Sequence, residues 1–457
     1  MLKQEESLKQ EESLKKVGLG ILVGCLVFLL SLTIFNTVQA SLLGLIALLV
    51  TLWTNEGLPL AIVSLLPIVL FPSFSILSTK ATAINYAHPI IYLFLGGFML
   101  AIAVEKTNLH RFIADKMLGL FPNTPRGMIF SLAITSGLLS SILSNTTTTL
   151  LLISIALFIT NDIKLKMRFA LAIAYGASVG GILTPIGTPP NLILLGIMSE
   201  KGMEMIPFFK WVFLVSPLVF IMFIVVSLVL SIGVSTTPIK RDTQTKELDS
   251  TQKKVLYILG GLVLLLFVNA PIKPFWGGLG LSDAGILLSA GLLLFMPKIN
   301  VLNWEEDSLK IPYKIMFLFG AGFSIAKAFA GTGLADEVAS YLIVITQLPP
   351  ILILFSVATL ITFTTEITSN TALISIMLPV IYSVAEQTGI DTTLFMMVAT
   401  LCASYAFMLP IATPPNAIAM GSGAVDVKSM IRYGIVLNFV GIFFIVMIAE
   451  FFWKGNL

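Results

Sequence analysis

Apolar runs near twenty residues recur along this chain, separated by short polar stretches. Each approaches or reaches the length needed to cross a bilayer core of roughly 30 Å. The pattern predicts eleven spans, near 17–36, 40–54, 57–72, 88–105, 169–187, 207–232, 254–270, 281–296, 313–330, 393–411 and 431–453. Two segments, 126–160 and 349–386, do not read as simple spans. Each consists of two short apolar arms around a polar tip, SNTTTT from Ser144 in one and SNTA from Ser369 in the other. A re-entrant hairpin fits both, since irregular backbone at membrane depth is tolerated only where protein or a watery cavity surrounds it. The expected fold is therefore all-α and polytopic, with the lipid bilayer as its surroundings.

Composition agrees. Of 457 residues, 57% are hydrophobic and 11% charged, where a soluble chain would carry about a quarter charged. The net charge of +3 gives no reason to expect a nucleic-acid partner. Cys25 and Cys402 lie far apart in apolar segments and suggest neither a disulfide nor a metal site. The N-terminal MLKQEESLKQEESLKK is a charged tandem repeat, expected as a frayed or helical tail. The first apolar run is too long for a signal peptide.

Basic residues orient the map. With the tail in the cytoplasm and each hairpin returning to its own side, 21 of the 27 Lys and Arg residues fall inside. These include Lys106, Arg111, Lys240, Arg241, Lys246, Lys310 and Lys314. Only Lys80, Lys201, Lys210, Lys273, Lys327 and Lys454 lie outside or near the outer ends. Lys and Arg are retained in cytoplasmic loops, so the C-terminus is placed outside, in a cytoplasmic (inner) membrane.

The chain repeats itself. Asn145 and Asn191 are 46 residues apart, as are Asn370 and Asn416, and the later pair sits in TPIGTPPN and LPIATPPN. At the same offset of 225, Gly97-Phe98 meets Gly322-Phe323 and Thr107-Asn108-Leu109 meets Thr332-Gly333-Leu334. Five net crossings between the copies make the repeat inverted. Inverted repeats with interrupted helices mark secondary transporters, with the binding site at the repeat interface. The expected organisation is a tail (1–16), an N-terminal span region (17–56), a first repeat (57–232), a cytoplasmic linker (233–253) and a second repeat (254–457).

The motifs suggest a chemistry. Ser, Thr and Asn cap helix N-termini, where free N–H groups and the helix dipole favour an anion. The hydroxyls of Ser144, Thr146, Ser369 and Thr371 and the amides of Asn145 and Asn370 can bond a carboxylate, and their oxygens can face a cation. Two such tips from opposite faces suit an anion charged at both ends. Proline breaks helices, so the spans are expected to unwind at Thr188-Pro189-Pro190 and Thr413-Pro414-Pro415, freeing carbonyls such as those of Gly187 and Ala412. Oxygen ligands of this kind suit hard cations, here extended to Na+. A cation beside the site offsets the cost of holding a dianion in a low dielectric.

Other polar residues have plainer readings. Thr147, Thr148 and Thr149 are expected to pack or to bond back to their own helix. Glu366, whose counterpart is Ser141, is expected to be a hydrogen-bonded anchor outside the symmetric site. His88 and His110 fall near span ends without a partner at metal spacing. Gly96-Gly97 reads as close helix packing, and Trp304-Glu305-Glu306-Asp307 as an amphipathic connector.

TPIGTPPN, TEITSNTA and LPIATPPN together resemble the divalent anion–sodium symporters, di- and tricarboxylate carriers of succinate, malate, fumarate and, in some members, citrate. The likeness runs from about residue 17 to the end. It implies a homodimer, with a scaffold domain and an elevator-type transport domain in each protomer. It places substrate contacts on Ser144, Asn145, Thr146, Ser369, Asn370 and Thr371, with Thr188, Thr413 and Pro414 bordering the substrate. It places one sodium ion on Ser140, Ser144, Asn145 and the Gly187 carbonyl, and a second on Thr365, Asn370, the Ala412 carbonyl and the backbone of Thr368. Some relatives are sodium-independent exchangers, but neither SNT has a neighbouring Lys or Arg to replace the sodium charge.

The expected function is thus sodium-coupled dicarboxylate symport. Sodium-independent dicarboxylate exchange, or transport of citrate or of an inorganic dianion such as sulfate, is the alternative. A membrane enzyme is disfavoured, because no H-E-x-x-H, G-x-S-x-G or intramembrane acid–base pair is visible. A channel fits paired closed hairpins less well than alternating access does.

Overall fold

The computed structural model describes residues 2–234, 247–271, 276–337 and 349–457. Most of the expected linker, with Lys240, Arg241 and Lys246, lies outside the described residues, as does Lys273.

The described chain is helical, without a β-strand. The N-terminal tail and first span form one helix, α1 (Leu2–Ser31). It leads through α2 (Thr37–Asn55), α3 (Leu60–Ser73) and the short α4 (Thr79–Ala83) to α5 (Pro89–Lys106) and α6 (Leu109–Leu118). The first hairpin is α7 (Pro125–Ser140) and α8 (Asn145–Ile159). It is followed by α9 (Ile163–Gly181), α10 (Pro189–Glu200) and α11 (Phe208–Ser231). The second half begins with α12 (Ser250–Asn269), α13 (Asp283–Leu293), the connector α14 (Trp304–Asp307) and α15 (Tyr313–Gly331). The second hairpin is α16 (Pro350–Thr365) and α17 (Asn370–Thr388), and the chain ends with α18 (Thr392–Ala403), α19 (Pro414–Gly421) and α20 (Val427–Ile448).

Seven helical stretches among the described residues are long and apolar enough to cross a membrane; they match the expected spans 17–36, 40–54, 88–105, 207–232, 254–270, 313–330 and 431–453. The span expected at 281–296 is the 11-residue α13, about 16 Å long at 1.5 Å per residue. The spans expected at 169–187 and 393–411 end early, at Gly181 and Ala403. Unwinding precedes the prolines rather than occurring at them. Pro189 and Pro414 start new helices, α10 and α19, at the position where a missing N–H costs nothing.

The repeat is visible in helix starts. Pro125 and Pro350, Asn145 and Asn370, and Pro189 and Pro414 each open a helix at a separation of 225 residues. Burial follows the same offset: residues 169–182 and 394–407 are buried without a gap. α9 and α18, the first arms of the broken helices, therefore form the centre, while α1 and α12 expose most of their apolar side chains, as lipid-facing helices do. Small residues let the centre close. Gly176 and Gly180 of α9 lie against the backbone of Ala133 and Gly137 in α7, and Gly96 of α5 lies against the backbone at Leu287 of α13. Close backbone approach of this kind is how helices pack without a hydrophobic driving force.

Candidate functional site

Each SNT motif starts a helix. Ser144 is the N-cap of α8, its Oγ accepting from the Thr147 N–H at 3.1 Å. Ser369 caps α17 through the Ala372 N–H at 3.5 Å. The asparagine that follows is held from below by the last residue of the preceding arm. Ser140 Oγ donates to Asn145 Oδ1. Its counterpart Thr365 Oγ1 donates to Asn370 Oδ1 at 2.6 Å and to the Ala403 carbonyl at 2.9 Å. Ser140 and Thr365 are fully buried, so each places an oxygen behind its asparagine. Thr149 bonds back to the Asn145 carbonyl at 2.7 Å, as expected. Thr147 does more than pack, because its Oγ1 shares the cap with Ser144 at 2.9 Å.

The unwound stretches are tied down by side chains. Asn191 Nδ2 donates to the Thr184 carbonyl at 2.9 Å. Asn416 Nδ2 donates to the equivalent Leu409 carbonyl at 3.0 Å and also to Ala406 at 3.0 Å. The asparagine closing each TPPN motif therefore clamps the break that precedes it, a role its spacing alone did not indicate. Thr184 Oγ1 bonds the Ser141 carbonyl, joining the first break to the first hairpin tip. At the matching place in the second half stands Glu366, 3% exposed. Its Oε1 accepts from the N–H groups of Phe407 (2.8 Å) and Met408 (2.9 Å) and from Asn438 Nδ2 (2.7 Å); its Oε2 accepts from the Leu409 N–H at 2.9 Å. It is the hydrogen-bonded anchor anticipated from sequence, and it fastens the free donors of a broken helix.

Both tips and both breaks line one cavity of about 1180 Å³. Ser144, Asn145, Thr146, Ser369, Asn370 and Thr371 contribute from the tips, and Gly187, Thr188, Ala412, Thr413 and Pro414 from the breaks. Thr368 also lines it, whereas Ser140 and Thr365 stand behind the asparagines. None of these residues is charged. The charged lining comes from other segments: Glu56 in the α2–α3 connection, Glu105 at the end of α5, and Lys310 and Lys314 beside the start of α15. Ser178 and Ser404 also line the cavity and were not singled out from sequence. Chemically, the cavity offers two helix N-termini with hydroxyl and amide donors, a set suited to an anion. The paired oxygens of Ser140 with Asn145 and of Thr365 with Asn370 suit a small hard cation. Among the described residues, no group of three His, Cys, Asp or Glu side chains is placed to hold a metal ion.

Known proteins supply the context. Residues 45–400 match the family described as citrate transporter. The chain is similar to a sodium-dependent dicarboxylate transporter, SdcS, of Staphylococcus saprophyticus, with 31% identity over 94% of this chain and 90% of that protein. It is also similar to SdcS of Staphylococcus aureus, at 31% identity over 95% and 90% of the two chains. In fold it resembles the YdaH transporter of Alcanivorax borkumensis (TM-score 0.61, 15% identity, 82% of this chain and 88% of that one). It also resembles MtrF of Neisseria gonorrhoeae (TM-score 0.58, 14% identity, 81% and 82%).

Proposed function

The chain belongs to the citrate-transporter family, as a membrane transporter of the divalent anion–sodium symporter type and not an enzyme, and on that premise we propose that it carries C4-dicarboxylates such as succinate, malate and fumarate by sodium-coupled symport. One observation carries the proposal: both SNT tips and both TPPN breaks border a single cavity whose motif residues are uncharged. A dicarboxylate would place one carboxylate at each tip, on Ser144, Asn145 and Thr146 and on Ser369, Asn370 and Thr371. Thr188, Thr413 and Pro414 would bound its carbon chain.

With no basic side chain among these contacts, the dianion needs countercharge. Two sodium ions would supply it, one on Ser140, Ser144, Asn145 and the Gly187 carbonyl, the other on Thr365, Thr368, Asn370 and the Ala412 carbonyl. A unit charge about 4 Å away is worth about 4 kcal/mol at an effective dielectric of 20, enough to make dianion binding depend on the cation. The staphylococcal relatives, named as sodium-dependent dicarboxylate transporters, support the same reading.

The two halves would be inverted repeats in a homodimer, each protomer moving its hairpins and broken helices against a scaffold. The N-terminus would lie in the cytoplasm and the C-terminus outside. The test is uptake into proteoliposomes of succinate, malate, fumarate, citrate and sulfate, with a sodium or a choline gradient. Saturable, sodium-dependent uptake and counterflow of a C4-dicarboxylate is expected. Equal uptake in choline would replace symport with exchange, and a preference for citrate or sulfate would replace the substrate.

A further inference from the structure

Among the described residues, eleven buried side-chain polar atoms have no hydrogen-bond partner. Two of them, Ser178 Oγ and Ser404 Oγ, belong to residues that line the cavity. These residues are 1% and 4% exposed. A buried unpaired hydroxyl is costly, and helical hydroxyls usually return to the carbonyl four residues back. Thr400 does so to Met396 at 2.8 Å, and Ser375 to Thr371 at 2.8 Å. Ser178 and Ser404 do not, although a helical carbonyl lies four residues behind each.

Their positions are neighbouring but one residue out of register: at the offset of 225, Ser178 meets Ala403 and Ser404 meets Val179. Ser178 sits one turn before Gly181, on the same helix face, and a Cβ at Gly181 would lie 2.8 Å from Asn145 Oδ1. Ser404 directly follows Ala403, whose carbonyl accepts from Thr365, the residue that also holds Asn370 Oδ1. Each orphan hydroxyl thus stands near the end of the broken helix that meets the asparagine of its own half, directly at Gly181 and through Thr365 at Ala403. We propose that Ser178 and Ser404 are additional oxygen ligands for the transported cations, one in each half, completing sets that the hairpin tips supply only in part. This rests on the sodium-coupled reading given above. A hard cation prefers several oxygen ligands, and a hydroxyl held at a cavity wall without a protein partner is preorganised to accept one.

The test measures sodium dependence twice on Ser178→Ala, Ser178→Cys, Ser404→Ala and Ser404→Cys. Cysteine keeps the volume and removes the hard oxygen, so it answers for any alanine variant that fails to insert. The first readout is the thermal stabilisation of purified protein by NaCl relative to choline chloride, which follows binding without transport. The second is succinate uptake against sodium. Each variant should need roughly three- to tenfold more sodium in both, as expected for one lost polar contact, with the succinate KM at saturating sodium unchanged. Variants that titrate like a sodium-responsive wild type would overturn the inference and leave the transport reading standing. A raised succinate KM with unchanged sodium dependence would overturn it too, by assigning the hydroxyls to the substrate. A wild type indifferent to sodium in both readouts would overturn both.

Discussion

Replacing Glu366 with Gln changes one atom in a buried hydrogen-bonded cluster. The carboxylate accepts four hydrogen bonds, three from consecutive N–H groups at Phe407, Met408 and Leu409 and one from Asn438. In its better orientation, a glutamine oxygen keeps Phe407, Met408 and Asn438, and its NH2 then confronts the Leu409 N–H. One buried donor is orphaned, at about 1–3 kcal/mol. The three remaining bonds fall from a charged to a neutral acceptor, at roughly 1 kcal/mol each by the same scale. The loss is therefore about 4–6 kcal/mol, or somewhat less where the terms are not additive. For a chain of this length it should lower the melting midpoint in detergent by roughly 3–10 °C. Because Leu409 lies three residues before Ala412, sodium-driven uptake should also fall at least tenfold. Ser141→Ala is the control: Ser141 occupies the equivalent place, yet its Oγ bonds only to Leu138 at 2.8 Å within its own helix, so about 1 kcal/mol or less is expected. An E366Q protein with the melting midpoint and sodium response of the wild type would refute the view that this carboxylate holds the second break in shape.

Other perturbations probe other joints. Asn145→Ala and Asn370→Ala should each abolish uptake in proteoliposomes while the protein still inserts and elutes as a single species; near-normal uptake by either would remove that tip from the site. Gly187→Ala should destabilise markedly and abolish uptake, because its Cβ would collide with the Gly181 carbonyl; a thermal melt equal to wild type would contradict the packing. The equivalent Ala412→Gly should retain at least a third of wild-type uptake. Asp307 is buried, which raises its pKa, but hydrogen bonds from Lys106, the Asn303 N–H and Lys310 outweigh that and hold it below the ordinary carboxylate value. A depressed folded pKa means that its stabilisation is present above the unfolded pKa of about 3.9 and is lost as pH falls through the folded value. Wild-type melting temperature should therefore drop below about pH 4 by more than that of Asp307→Asn, and parallel curves would sink the assignment.

What could be read from the sequence follows the range of the interactions. Helix caps are local, so SNT announced where α8 and α17 begin, whereas TPPN announced a break but not that its prolines open α10 and α19. The doubled offset of 225 announced that these starts are equivalent. The residues that shape the breaks act across distance. Glu366 reaches donors 41 to 43 residues away, and Thr184 reaches Ser141 across 43. Nothing in either local pattern names its partner. Ser178 and Ser404 were hidden differently: a serine in a membrane helix is ordinarily interhelical glue, and only the geometry shows these two without a partner.

The two halves also solve the same problem by different means. In the first, the break is held to the hairpin tip by Thr184 bonding a backbone carbonyl, and Gly187 lets the chain fold onto Gly181. In the second, a carboxylate gathers three backbone N–H groups, and an alanine fits where glycine was required. The second break has a carboxylate bonded to it, where the matching position beside the first holds Ser141. A cation there would feel a favourable field that Ser141 does not supply to the first site, since Coulomb interaction is strong in a low dielectric. Two sodium ions in otherwise matching cradles should therefore bind with unequal affinity, the tighter one in the second half. The Ser404 variants should shift the high-affinity phase of a sodium titration and the Ser178 variants the low-affinity phase. The reverse assignment would mean that the field of Glu366 is spent on its four donors and does not reach the ion.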